Sequence, residues 1–197
     1  SAAVTASTLN FSGDYLVTTT GNVTGNFTAT TSNHGTIEAT ATGTIAGTIG
    51  ASTKPIKLLD ADAATTINGS VYATSVTLNH NLIMAADADV TGTVTLATDN
   101  TIDLADGADI TGAIQLGGAN EGTIEVAGTS IITGDVGTST GDDLKTLTLE
   151  ANSTLSLGAG GEITDINAAA GSELKFIASG NAATLVSTTG YTATSAT

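Results

Sequence analysis

The sequence predicts an all-β chain wound as a right-handed parallel β-helix, a β-solenoid with about 22 residues per coil. Three observations predict it. A five-residue unit, apolar-x-Gly-x-apolar, recurs six times at near-constant spacing. A second unit, with apolar residues two apart, lies between the copies. Clusters of Gly, Asn, Asp, Ser and Thr separate the two units and mark corners.

The first unit reads Val23-Thr24-Gly25-Asn26-Phe27, Ile45-Ala46-Gly47-Thr48-Ile49, Ile67-Asn68-Gly69-Ser70-Val71, Val90-Thr91-Gly92-Thr93-Val94, Ile110-Thr111-Gly112-Ala113-Ile114 and Ile132-Thr133-Gly134-Asp135-Val136. Its glycines are 22, 22, 23, 20 and 22 residues apart. A single copy arises easily by chance; six at this spacing do not. The second unit appears as Ile37-Glu38-Ala39, Ile56-Lys57-Leu58, Val76-Thr77-Leu78, Ile102-Asp103-Leu104, Ile124-Glu125-Val126 and Leu147-Thr148-Leu149. Alternation of period two gives a strand with one buried face. It places Val23, Gly25 and Phe27 on one side and Thr24, Asn26 and Thr28 on the other. The six repeat glycines, Gly25, Gly47, Gly69, Gly92, Gly112 and Gly134, are therefore expected to face inward and let an opposing segment approach closely. The one stretch with any helical spacing is Leu58–Thr65. About nine coils stacked at roughly 4.8 Å would make a rod some 40 Å long.

This periodicity orders the chain into an N-terminal coil or cap (1–22), regular coils (23–136), less regular C-terminal coils (137–190) and a tail (191–197). After Gly134 the next related stretch is Ile163-Thr164-Asp165-Ile166, 31 residues on from glycine to aspartate, which reads as a wider coil or an insertion. The start at Ser1-Ala2-Ala3 reads as a processed product or a fragment, of the kind a cleaved export signal leaves.

Composition narrows the classes of function. The 197 residues suffice for one domain with a real core. Nineteen acidic residues face four lysines (Lys54, Lys57, Lys145 and Lys175), for a net charge of −15. That balance argues against nucleic acid and against anionic lipid surfaces. No cysteine is present, so neither a disulfide framework nor a thiolate site exists. With 40% apolar and only 12% charged residues, the chain is too hydrophobic for a disordered one. No apolar run is long enough to span a membrane as a helix.

Acidic residues gather ahead of the repeated unit: Asp60 and Asp62, Asp87 and Asp89, Asp106 and Asp109. Carboxylates stacked at the corners of successive coils could hold Ca²⁺, the only cofactor considered, because that ion takes several oxygens. Asp also favours turns and keeps a surface soluble, with no ion involved. Paired carboxylates further raise a glycosidase or lyase. Carbohydrate-active β-helices use basic and aromatic residues on sugar, however, and this chain has no Trp and three Tyr. A non-enzyme is expected. His34 and His80 lack a neighbour at metal-ligand spacing. Ice binding would need an unbroken threonine row, but the residues before the glycines are Thr24, Ala46, Asn68, Thr91, Thr111 and Thr133.

The stretch from Gly122 through Ile124-Glu125-Val126, Ile132-Thr133-Gly134-Asp135-Val136 and Leu147-Thr148-Leu149 to Leu174-Lys175-Phe176 resembles the passenger domains of autotransporters, in particular the rickettsial outer-membrane surface antigens. The resemblance covers roughly residues 60–180 and rests on the strand-turn pattern. It implies an exported, non-catalytic β-helix displayed extracellularly on a bacterial surface, as an adhesive or protective element. Its partners would be a host or cell-surface protein or a glycan. The alternative is a filament or surface-layer subunit that stacks head-to-tail on its own copies. No nucleic acid and no membrane insertion are expected.

Overall fold

A computed structural model describes residues 4–137, 142–158, 161–177, 185–186 and 190–193. Every regular element in them is a strand, and every pairing between these strands is parallel. The chain winds as a right-handed β-solenoid.

Three ladders of in-register residues run along the rod and define three faces. On the first face one column passes through Val4, Val23, Ile45, Ile67, Met84, Leu104, Val126, Leu149, Ala168 and Ala193. Its nine steps average 21 residues and range from 17 (Ile67 to Met84) to 25 (Ala168 to Ala193). The second face carries Leu9, Phe27, Ile49, Val71, Val90, Ile110, Ile132, Leu157 and Phe176. The third carries Val17, Ile37, Leu59, Val76, Val94, Ile114, Val136 and Gly161. The strands Val71–Leu78 and Asp89–Leu96 run through the corner between the second and third faces without a break.

Alternation explains the interior. In Thr101–Leu104 the buried residues are Ile102 and Leu104; in Leu144–Leu149 they are Leu144, Leu147 and Leu149. The core is aliphatic except at the N-terminal end, where the rings of Phe11 and Phe27 stack with centroids 6.1 Å apart. Each buried Ile, Leu or Val contributes about 1.5–3 kcal/mol relative to exposure. A lone coil has nothing to bury these side chains against, so the stack is the folding unit.

The helical spacing in Leu58–Thr65 does not become a helix. Ile56–Ala61 and Thr65–Ile67 are strands separated by a bend. Ladder bonding to Thr36–Ala39 on one side and to Val71–Leu78 on the other outweighs local propensity there.

The repeat glycines also differ from expectation. They are corner residues whose missing side chain would point along the rod, not into the core. A Cβ on Gly47 would run into the Gly25 carbonyl of the preceding coil; on Gly69 it would lie 2.7 Å from the Gly47 oxygen. Gly112 and Gly134 stack on Gly92 and Gly112 in the same way. The apolar residues flanking each glycine sit on different faces, so simple alternation fails at the bend.

Nor do the six glycines form one column. Gly25, Gly47 and Gly69 turn the chain from the first face to the second, since Val23, Ile45 and Ile67 share the first ladder and Phe27, Ile49 and Val71 the second. Gly92, Gly112 and Gly134 turn it from the second face to the third. Val90 pairs with Val71, and Val94 with Val76. The motif thus moves by one corner between Gly69 and Gly92, in the coil whose first-face step is the shortest. In the later coils the vacated corner is filled by tight turns, in which the Ala88 and Ala108 amides donate to the Ala85 and Ala105 carbonyls.

The less regular region after Val136 keeps the ladders. Its steps widen, for example from Val136 to Gly161. Gly190–Ala193 forms a strand beside Gly161–Ala168. Residues 194–197 of the expected tail lie outside the described residues.

Candidate functional site

The six aspartates singled out from the sequence fall at two different places. Asp60 and Asp62 lie where the chain leaves the third face, and Asn79 of the next coil donates its side-chain N–H to both, at 3.3 and 2.8 Å. Asp87, Asp89, Asp106 and Asp109 lie together where the chain passes from the first face to the second. There Asp89 stacks on Asp109.

Most of these carboxylates engage protein donors. Asp106 Oδ1 accepts the Thr129 N–H at 2.8 Å, and Asp109 Oδ1 accepts the Ile131 N–H at 2.8 Å. Asp89 accepts a backbone N–H from Asp109. Asp87 takes a positive φ of 58° in its turn. Among the described residues no group of three or more His, Cys, Asp or Glu is arranged to hold a metal ion. Burial, followed by the charges of Asp62 and Glu38, raises the Asp60 pKa. Burial, then Asp109 and Asp87, raises that of Asp89 against the opposing backbone hydrogen bond.

The aspartates belong to a wider pattern that the sequence reading missed. Asn22 accepts the Thr44 N–H and Asn26 the Thr48 N–H, each at 2.9 Å. Asn81 accepts from Thr101 at 3.0 Å and Asp99 from Gly122 at 3.1 Å. In every case the side chain of one coil takes a backbone amide of the next, always in the C-terminal direction. At corners the strand ladder leaves amides without a carbonyl partner, and a short Asn or Asp supplies one. The available signal was an Asn or Asp some 20–23 residues ahead of the acceptor's partner.

Charged groups of opposite sign also meet. Lys57 Nζ lies 2.6 Å from Asp14 Oδ2, Lys145 bonds Asp99, and Lys175 Nζ lies 3.0 Å from Glu173. The lysines hold Asp14 and Asp99 below the usual carboxylate range. Glu162 is instead raised, first by a hydrogen bond with the Asp143 carboxyl.

The outward surface of the first face carries a shallow groove lined by Asn81, Ile83, Thr101, Asp103 and Glu125, with Ile83 46% exposed. Ile83, Asp103 and Glu125 form one column there, one residue per coil. Such a surface offers carboxylates and hydroxyls in regular rows to an extended ligand. Comparison with family models, with curated proteins and with solved structures finds no match to this chain.

Proposed function

We propose that the chain is a non-catalytic structural and adhesive rod, exported and displayed on a bacterial surface. The observation that carries this reading is the first-face ladder, unbroken from Val4 to Ala193, with polar residues on its outward side. The recurring sequence devices, corner glycines and amide-accepting Asn and Asp, serve the stacking of one coil on the next. A rod of that kind holds ligand groups at a fixed spacing of about 4.8 Å per coil. The surface location and a protein or glycan partner come from the resemblance to autotransporter passengers. Electron microscopy of the purified chain together with binding to whole cells and to a glycan array tests it. Rods that bind cells or glycans support the reading; release of reducing or unsaturated sugar ends from a polysaccharide would replace it with an enzyme.

A second reading is a filament or layer subunit. Tyr15 and Leu16, at the edge strand Leu16–Thr19, are 61% and 60% exposed, as an apolar contact with another copy would require. Fibres that lengthen with protein concentration would favour it over the monomeric rod.

A further inference from the structure

Two of the ion pairs are built to one plan on different faces. On the third face Leu16, Thr36 and Leu58 are successive partners; Asp14 lies two residues before the first, Gly35 one before the second and Lys57 one before the third. On the first face Thr101, Thr123 and Thr146 are successive partners, and Asp99, Gly122 and Lys145 occupy the same three offsets. Each lysine reaches back two coils to its aspartate. Both middle residues are glycines with positive φ, 86° and 76°. A Cβ on either would strike a core side chain, Phe11 or Leu96. The Gly122 N–H donates to Asp99 Oδ1, and the Gly35 amide likewise acts on the Asp14 carboxylate.

The residues before the two glycines, His34 and Glu121, each enclose a side-chain atom without a hydrogen-bond partner. The chain tolerates that cost at both sites, next to the same three-residue arrangement. Left-handed glycine backbone directs an amide at the carboxylate from the middle coil, and the lysine closes the arrangement from the far one.

We propose that these two Asp–Gly–Lys arrangements are salt-sensitive register locks, each tying three consecutive coils through one carboxylate. A ladder of similar coils can slip or open locally, because one coil's apolar positions suit its neighbours' partners. A carboxylate that takes a glycine amide from the next coil and a lysine from the one after fixes both spacings at once. The lysine and aspartate side chains remain about half exposed at both sites, so dissolved ions compete with them.

Amide hydrogen exchange on the full chain tests this, with Lys145→Met and Lys57→Met, which keep an apolar stem and remove the charge. Lys145→Met should speed exchange of the Gly122 amide roughly two- to fivefold at low salt and leave Gly35 unchanged, the size an exposed pair supports. Lys57→Met should do the reverse. Molar salt should speed both amides in the unaltered chain and add nothing at the site whose lysine is gone. The Gly107 amide, bonded to the Thr129 carbonyl, should respond to neither. Gly35 and Gly122 exchange indifferent to salt in the unaltered chain would overturn the proposal, whatever the variants do. So would a salt response that survives loss of the lysine.

Discussion

Gly92 stacks on the Ala73 carbonyl and not on Gly69, although the sequence puts Gly69 one repeat before it. Gly112 and Gly134 continue the column that Gly92 starts. The consequence for stability is direct. Gly112 has a φ of 141°, and a Cβ there would meet the Gly92 carbonyl. Gly112→Ala should cost about 2–4 kcal/mol, from backbone strain and displacement of the preceding coil. Thr93→Val, on the outward side, should stay within about 0.5 kcal/mol. Denaturant midpoints compare the two, and equal effects would contradict the corner assignment.

The amide-accepting side chains predict a split between two substitutions at one position. Asp109→Ala leaves the Ile131 N–H without its acceptor and should cost about 1 kcal/mol, since the corner is part-exposed. Asp109→Asn keeps an acceptor and should be close to neutral. Both should lower the Asp89 pKa, whose second cause of elevation is the Asp109 charge. Carboxyl chemical shifts followed against pH measure this, and an Asp89 titration unmoved in both variants would be inconsistent with it.

Acid should first stabilise and then destabilise the fold. Asp60 and Asp89 titrate above the ordinary value of 3.8, so the folded chain binds their protons more tightly than the unfolded chain does. Their contribution is most favourable below 3.8 and is lost as pH rises through the raised values. Asp14 and Asp99 titrate below 3.8; their contribution is present above it and lost as pH falls through the lowered values. The thermal midpoint should therefore rise from neutral into mildly acidic solution and fall in stronger acid. A steady decline from neutral pH downward would show that the aspartate repulsions are unimportant.

Association should depend on ionic strength. A net charge of −15 keeps copies apart over a Debye length of about 8 Å at physiological salt. If the edge bearing Tyr15 and Leu16 receives another copy, salt or millimolar Ca²⁺ should raise the scattered light. A monomeric signal at low salt, physiological salt and with Ca²⁺ would remove the filament reading and leave the surface rod.

The solenoid was legible because its two causes are periodic in sequence: alternating apolar residues, as in Ile102-Asp103-Leu104, and corner glycines every 20–23 residues. The corner shift was not, because Ile67-Asn68-Gly69-Ser70-Val71 and Val90-Thr91-Gly92-Thr93-Val94 are the same pentapeptide at different corners. Only the pairing of Val71 with Val90 distinguishes them. The inward glycines failed for the same reason, since a strand that bends at Gly25 no longer alternates across it. The aspartate clusters were visible as corners, but their partners are backbone amides, which carry no residue signature. Lys145 and Asp99 are 46 residues apart, beyond any single repeat, so their meeting follows only once the coils are stacked.

The single short coil between Ile67 and Met84 acts as a phase setter for the surface. Upstream of it the glycine bend opens the second face; downstream it opens the third. Deleting or duplicating one repeat wholly within 23–71 or wholly within 90–136 would shorten or lengthen the rod and leave every outward column pointing as before. Restoring a standard repeat between Gly69 and Gly92 would instead rotate the entire downstream half by one face. The acidic column of Asp103 and Glu125 would then look in a different direction from Glu38 and Asp60, with no change in any residue that a ligand touches.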